Sequence, residues 1–198
     1  MTEPSTPEGG GNTEYSFRPS LLGAPWQFKL TDDGIEWVTG QRSGRVPFRN
    51  VRRLRMSYRP VTMQSQRFVT EVWAEGAPKL KIVSSSWKSI VEQERLDKQY
   101  SAFVAELHRR LIRAAAPVCY EQGTPSLKYW LGFAVFAAIV LGLCLLIVRT
   151  LLAGSLSGAA FIAGFLALLL WQVGVTFLRN RPGRYRPEAP PAAVMPKG

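Results

Sequence analysis

The chain has 198 residues and a formal charge of +11, from 25 Lys and Arg against 14 Asp and Glu. Its mean hydropathy of −0.01 matches an ordinary soluble protein, yet the charged residues crowd the first two thirds and the apolar ones the last third, which excludes one uniform soluble domain. The basic excess suits an anionic partner, either nucleic acid or lipid headgroups, while two cysteines, Cys119 and Cys144, supply neither a disulfide framework nor zinc-site spacing.

Residues 1–25 are rich in Pro, Gly, Ser, Thr and Glu and are expected to form a disordered tail. They lack the basic and apolar regions of a secretory signal, so the domain that follows is expected to stay on the side where it is made. From Trp26 the pattern changes. Phe28 and Leu30 alternate with polar residues, Asp32-Asp33-Gly34 is a turn, and Ile35 and Trp37 resume the alternation, which predicts a β-hairpin. A second turn covers Gly40 to Gly44. Val46, Phe48 and Val51 lead into a strand with Leu54, Met56 and Tyr58 on one face and Arg53 and Arg55 on the other. Arg67 to Ala74 reads as another strand, and Gly76-Ala77-Pro78 turns into Lys79 to Ser84, where Leu80 and Ile82 share a face. The period then becomes helical. Leu96, Tyr100, Phe103, Leu107 and Leu111 predict one amphipathic helix ending near Ala115, with His108 on its exposed edge. Strands followed by one helix give an α+β domain over 26–115, and 116–128 reads as a linker.

Tyr129 to Val148 carries no charge and is long enough to cross a hydrocarbon core of roughly 30 Å. Tyr129 and Trp130 stand at its start, where amphipathic rings favour the headgroup level. A second uncharged run spans 156–178, so 129–178 is expected to be a two-helix transmembrane hairpin. Arg109, Arg110, Arg113 and Lys128 precede it, and Arg179, Arg181, Arg184 and Arg186 follow it. The connecting loop offers only Arg149. The positive-inside rule then places both termini in the cytoplasm of a multi-pass protein of the inner membrane. Ala134, Ala138 and Gly142 form a small-residue ladder on the first helix, and Ala159, Ala163 and Ala167 form one on the second, with Ala160 and Gly164 beside it. Such ladders let backbones approach closely in lipid, and their expected use is to join the two helices, the alternative being a homo-oligomer. Neither span holds an ionisable residue, so the hairpin reads as an anchor rather than an ion path. Residues 179–198 read as a basic, Pro-rich tail.

Arg45-Val-Pro-Phe-Arg-Asn-Val-Arg-Arg-Leu-Arg-Met56, the Phe28-Lys-Leu-Thr-Asp-Asp-Gly-Ile35 hairpin and the Tyr100-Ser-Ala-Phe-Val-Ala-Glu-Leu-His-Arg-Arg-Leu111 helix resemble the corresponding parts of bacterial pleckstrin-homology-like (PH-like) domains. The resemblance covers about 26–115. It implies an α+β fold with a bent, seven-stranded antiparallel sheet or barrel capped by a C-terminal helix, of which five or six strands are legible. It also implies a membrane-anchored protein. Phosphoinositide binding is not carried over, because the loop equated with the family's ligand loop, Asp32-Asp33-Gly34, is acidic.

No zincin, Walker, nucleophile-elbow or dinucleotide-binding motif occurs. Catalytic residues, metal ligands and cofactors are therefore not expected. Arg49, Arg52, Arg53, Arg55 and Arg59 form the densest basic cluster. Near an anionic leaflet each cation would gain about 1 kcal/mol. The competing expectation is that they are solvated or paired with Glu36, Glu71 and Glu75. Nucleic acid is not an expected partner, since neither a recognition helix nor a base-stacking motif is present. The leading expectation is a non-catalytic interaction or scaffold module at the membrane with a protein partner. The alternative is binding of anionic membrane lipids through the arginine cluster.

Overall fold

The computed structural model describes residues 13–21, 23–60, 66–88 and 93–196. It is an α+β protein that divides into two compact units, Met1–Glu121 with Arg184–Gly198, and Gln122–Gly183.

The first unit opens with β1 (Glu14–Phe17), β2 (Trp26–Leu30), β3 (Gly34–Thr39) and β4 (Arg42–Pro47), paired in that order as an antiparallel sheet. The presence of β1 corrects the expectation of a disordered tail over 1–25; residues 1–12 lie outside the described residues. In β1, Tyr15 and Phe17 alternate with exposed Glu14 and Ser16. By register they stand opposite Phe28 and Trp26, the Phe17 ring packs on both, and the Tyr15 hydroxyl donates to the Val83 carbonyl at 2.6 Å. Four alternating residues were hidden by the polar average around them. The predicted hairpin turn at Asp32-Asp33-Gly34 is present, but it joins the second and third strands. The third and fourth strands meet closely at Gly44, where a Cβ would lie 2.8 Å from the Trp37 ring.

A second sheet runs in the order β11 (Gly183–Arg184), β10 (Cys119–Gln122), β5 (Val51–Pro60), β6 (Gln66–Ala74), β7 (Leu80–Val83). A separate ribbon pairs β8 (Ser85–Trp87) with β9 (Gln93–Arg95). The two-residue period holds along β5. Leu54, Met56 and Tyr58 enter the core together with Phe68, Val72, Leu80 and Ile82.

Helix α1 (Asp97–Arg113) closes this core with Tyr100, Phe103, Val104, Leu107, His108 and Leu111. His108 therefore lies inside, not on an exposed edge as its neighbour Arg109 suggests. The buried stripe is wide enough to include positions on both sides of Leu107. The Tyr100 hydroxyl meets Thr70 Oγ1 at 2.6 Å, and its burial raises its pKa. Two segments read as a linker and a tail also join this unit. Tyr120 lies in β10, and Val194, in a 3-10 turn (Ala192–Val194) beside β5, is 1% exposed.

The second unit is a helical hairpin, α2 (Ser126–Leu152) and α3 (Leu156–Arg179), joined by a turn in which Gly154 takes φ of +77°. At about 1.5 Å per residue both helices exceed the roughly 30 Å of a bilayer core, and both are long and apolar enough to cross a membrane. The start of α2 meets the end of α3, where the Phe177 ring packs on Gly132, Tyr129, Phe133 and Phe136. Of the small-residue ladders, only Ala159 is buried. Ala134, Ala138, Gly142, Ala160, Ala163, Gly164 and Ala167 remain exposed. The hairpin thus closes mainly on larger side chains, not on the ladders.

Candidate interaction surface

The outward face of β5, β6 and β7 gathers the strongest charge. By register, Arg53, Arg55 and Arg59 on β5 stand opposite Trp73, Glu71 and Arg67 on β6, and Lys81 on β7 stands opposite Glu71. The five arginines singled out in the sequence are not one cluster here. Arg49 lies in a 3-10 turn before the strand, exposed and without an ion pair among the described residues. Arg52 follows a register shift and makes a two-pronged pair with Glu75, at 2.8 and 2.9 Å. That pairing lowers the Glu75 pKa and raises that of Arg52.

Arg53 and Arg55 lie over the Trp73 ring, 4.7 and 5.3 Å from its centroid, and Lys79 Nζ lies 5.6 Å from it. Arg55 is also ion-paired with Glu121 of β10. Glu71, nearly buried, accepts from Lys79 at 2.9 Å and lies 3.9 Å from Arg59. Of the three expected carboxylate partners, Glu71 and Glu75 meet members of the arginine cluster. Glu36 lies instead 3.9 Å from Arg45 on the first sheet.

At the far end of the face the balance changes. Arg59 and Arg67 are a directly opposed like-charged pair, an arrangement that destabilises a sheet. Arg67 Nε–H donates to Ser85 Oγ at 3.0 Å, but Arg67 has no carboxylate partner among the described residues. Burial, and then the charge of Arg59, hold its pKa below the usual guanidinium value. Lys81 is lowered in the same way, by burial first and then by Arg59 and Arg67, against the pull of Glu71. Ser57, between Arg55 and Arg59 on the same face, is buried, and its Oγ has no hydrogen-bond partner among the described residues. Arg67, Lys79, Lys81 and Glu121 were not singled out from the sequence. Two-residue alternation along the predicted 67–74 strand would have found Arg67.

A shallow groove on the first sheet, bordered by Lys29, Glu36, Trp37, Arg45 and Gln99, is electrostatically closed. Lys29 pairs with Glu14 at 2.8 Å, and Arg45 pairs with Asp33. The Asp33 carboxyl is consequently held below its usual range, and Asp33 acts as a turn former and ion-pair partner.

Inside the first unit, His108 Nδ1–H donates to the Val104 carbonyl at 2.7 Å, and Nε2 lies 2.9 Å from the Tyr185 hydroxyl, which donates to it in the neutral imidazole. Tyr120 stacks on the imidazole and meets Tyr185 edge-on. Burial lowers the His108 pKa and raises both phenols, that of Tyr120 to about 12. Groups of three or more His, Cys, Asp or Glu side chains able to hold a metal are absent among the described residues.

No protein-family model, curated protein or solved structure matches the chain.

Proposed function

We propose that the chain is a membrane-anchored, non-catalytic interaction module: a PH-like domain held at the cytoplasmic face of a bacterial inner membrane by the α2–α3 hairpin, where it assembles a protein partner. The observation that carries this reading is the order of the chain. The segments on both sides of the hairpin, up to Glu121 and from Arg184 onward, belong to the same folded unit. That unit can assemble only if both segments lie on one side of the membrane. The basic flanks favour the cytoplasmic side. The apolar side chains of α2 and α3 have almost no protein cover, a state that water disfavours and lipid satisfies.

A PH-like fold is supported by the succession of a four-stranded antiparallel sheet, the β5–β6–β7 meander and a closing helix. Collective lipid binding by Arg49, Arg52, Arg53, Arg55 and Arg59 has less support, because Arg52 and Arg55 are already neutralised by carboxylates. The test is fractionation with protease access. The chain should stay in membranes washed with alkaline carbonate, and its domain should resist protease in intact spheroplasts but not in lysed ones. Release by carbonate, or digestion in intact spheroplasts, would overturn the anchor or its orientation. Purification in mild detergent should return a protein at a fixed ratio to the chain; a chain recovered alone counts against the interaction role.

A further inference from the structure

We infer that Arg59, Arg67 and Lys81 form a binding site for a phosphate-type oxyanion at the end of the β5–β6–β7 face. The three positions lie on adjacent strands and on one face: Arg59 stands directly opposite Arg67, and Lys81 stands opposite Glu71, four residues along β6 from Arg67. Glu71 does not neutralise the group. It is 6% exposed, it is engaged by Lys79 at 2.9 Å, and Arg59 reaches it only at 3.9 Å. Arg59, Arg67 and Lys81 therefore share one carboxylate, that of Glu71, which Lys79 already engages.

Arg67 is oriented for recognition rather than merely placed. Its Nε–H is occupied by Ser85, a serine that is 2% exposed and so held by the fold. The outer N–H groups of the guanidinium have no partner among the described residues and can grip two oxygens of one anion, the geometry that suits arginine to phosphate. Lys81 adds a compact charge from the neighbouring strand. Arg59 has a side chain about half exposed (54%), so the site has an open side. Burial first, and then the neighbouring cations, hold the pKa of Arg67 and of Lys81 below their usual values, and a bound anion would offset the repulsion among those cations. Of the five arginines legible in the sequence, only Arg59 contributes, so the site differs from the collective cluster.

The phosphate group can come from a free phosphate or from a lipid headgroup, and the test separates them. The full chain in a neutral maltoside detergent is titrated with inorganic phosphate at constant ionic strength, against chloride, and separately with short-chain phosphatidic acid, against phosphatidylcholine. Domain melting is the readout. A saturable rise in melting temperature is expected in at least one arm. A rise with phosphate assigns a free ligand, and a rise with phosphatidic acid alone assigns a headgroup. Arg67→Met and Lys81→Met should each weaken that binding by about tenfold or more, since each removes a charge-assisted contact. Arg59→Gln, at the more exposed position, keeps the test decisive if either variant misfolds. Arg49→Gln should leave binding unchanged. A flat response in both arms, or site variants that bind like the parent, would overturn the site. Membrane fractionation is unaffected by that result, so the anchor reading stands or falls separately.

Discussion

Leu107 in α1 is fully buried, whereas Leu141 in α2 keeps 62% of its surface exposed. The same side chain on the same secondary structure meets opposite surroundings. Helix α1 has one apolar stripe and turns Arg109 and Arg113 outward, so water is its outer solvent. Helix α2 is apolar on every side, with no buried residue, so its outer face requires a medium as apolar as leucine. Stability in the first unit comes from removing apolar area from water. In the hairpin it comes from backbone hydrogen bonds and local packing such as Phe177 on Gly132, with the surroundings supplying the rest.

The comparison breaks first at the leucines. Leu107→Ala leaves a cavity in a core that cannot collapse fully and should cost about 2–5 kcal/mol, read as a large fall in the melting temperature of the domain. Phe161→Ala removes a larger side chain at a position 80% exposed on α3 and should leave domain melting unchanged. Equal losses in the two variants would mean that the hairpin carries a protein core of its own. A second test reverses the roles. Leu141→Arg would be harmless if water surrounded α2. In a bilayer it should oppose insertion by about 2.5–3.5 kcal/mol, measured as the fraction of chain recovered in carbonate-washed membranes. Full recovery would remove the contrast between the units.

The contrast was legible in the sequence because length and absence of charge survive any detail of packing; the helices gained only a turn or so at their ends. The core face of β5 was legible for a similar reason, since Leu54, Met56 and Tyr58 keep strict alternation. What escaped detection was short or distant. Tyr15 and Phe17 lie in a four-residue strand inside a polar stretch. Val194 and Tyr185 join a core whose other members lie before the hairpin, His108 being 77 residues from Tyr185. His108 was misplaced because helical periodicity marks a stripe but not its width. On the arginine face, spacing along β5 revealed the β5 cations, while Arg67 and Lys81 reached the same patch only through strand pairing.

His108 provides the third test, confined to the first unit. It is neutral and enclosed, with Tyr120 and Tyr185 against its ring; Glu188 acts on Tyr120 at longer range. Its folded pKa lies below the unfolded value of 6.5. The unfolded chain therefore takes up a proton that the folded domain refuses. The stabilising contribution is complete above about pH 6.5 and declines as pH falls below it, by at most about 1.4 kcal/mol per pH unit. His108→Gln should flatten that decline in a melting series between pH 7.5 and 5.5. An unchanged slope would assign the acid sensitivity to other groups.

The smallest expected effect sharpens what counts as surface in the first unit. Arg53 and Arg49 are four residues apart and were grouped by sequence, yet only Arg53 lies over a ring, 4.7 Å from the Trp73 centroid. An exposed cation–π contact contributes about 0.5–1 kcal/mol. Arg53→Gln should therefore lower domain stability by about that amount and shift Trp73 fluorescence, while Arg49→Gln should do neither. The pair is informative because both changes remove one positive charge from the same part of the sequence. If the two variants fall equally, the loss is due to net charge; if only Arg53→Gln falls, the ring contact holds the arginine in place. In that case the Trp73 end of the face is a packed structural surface, and the charge left for a ligand is concentrated at Arg59, Arg67 and Lys81.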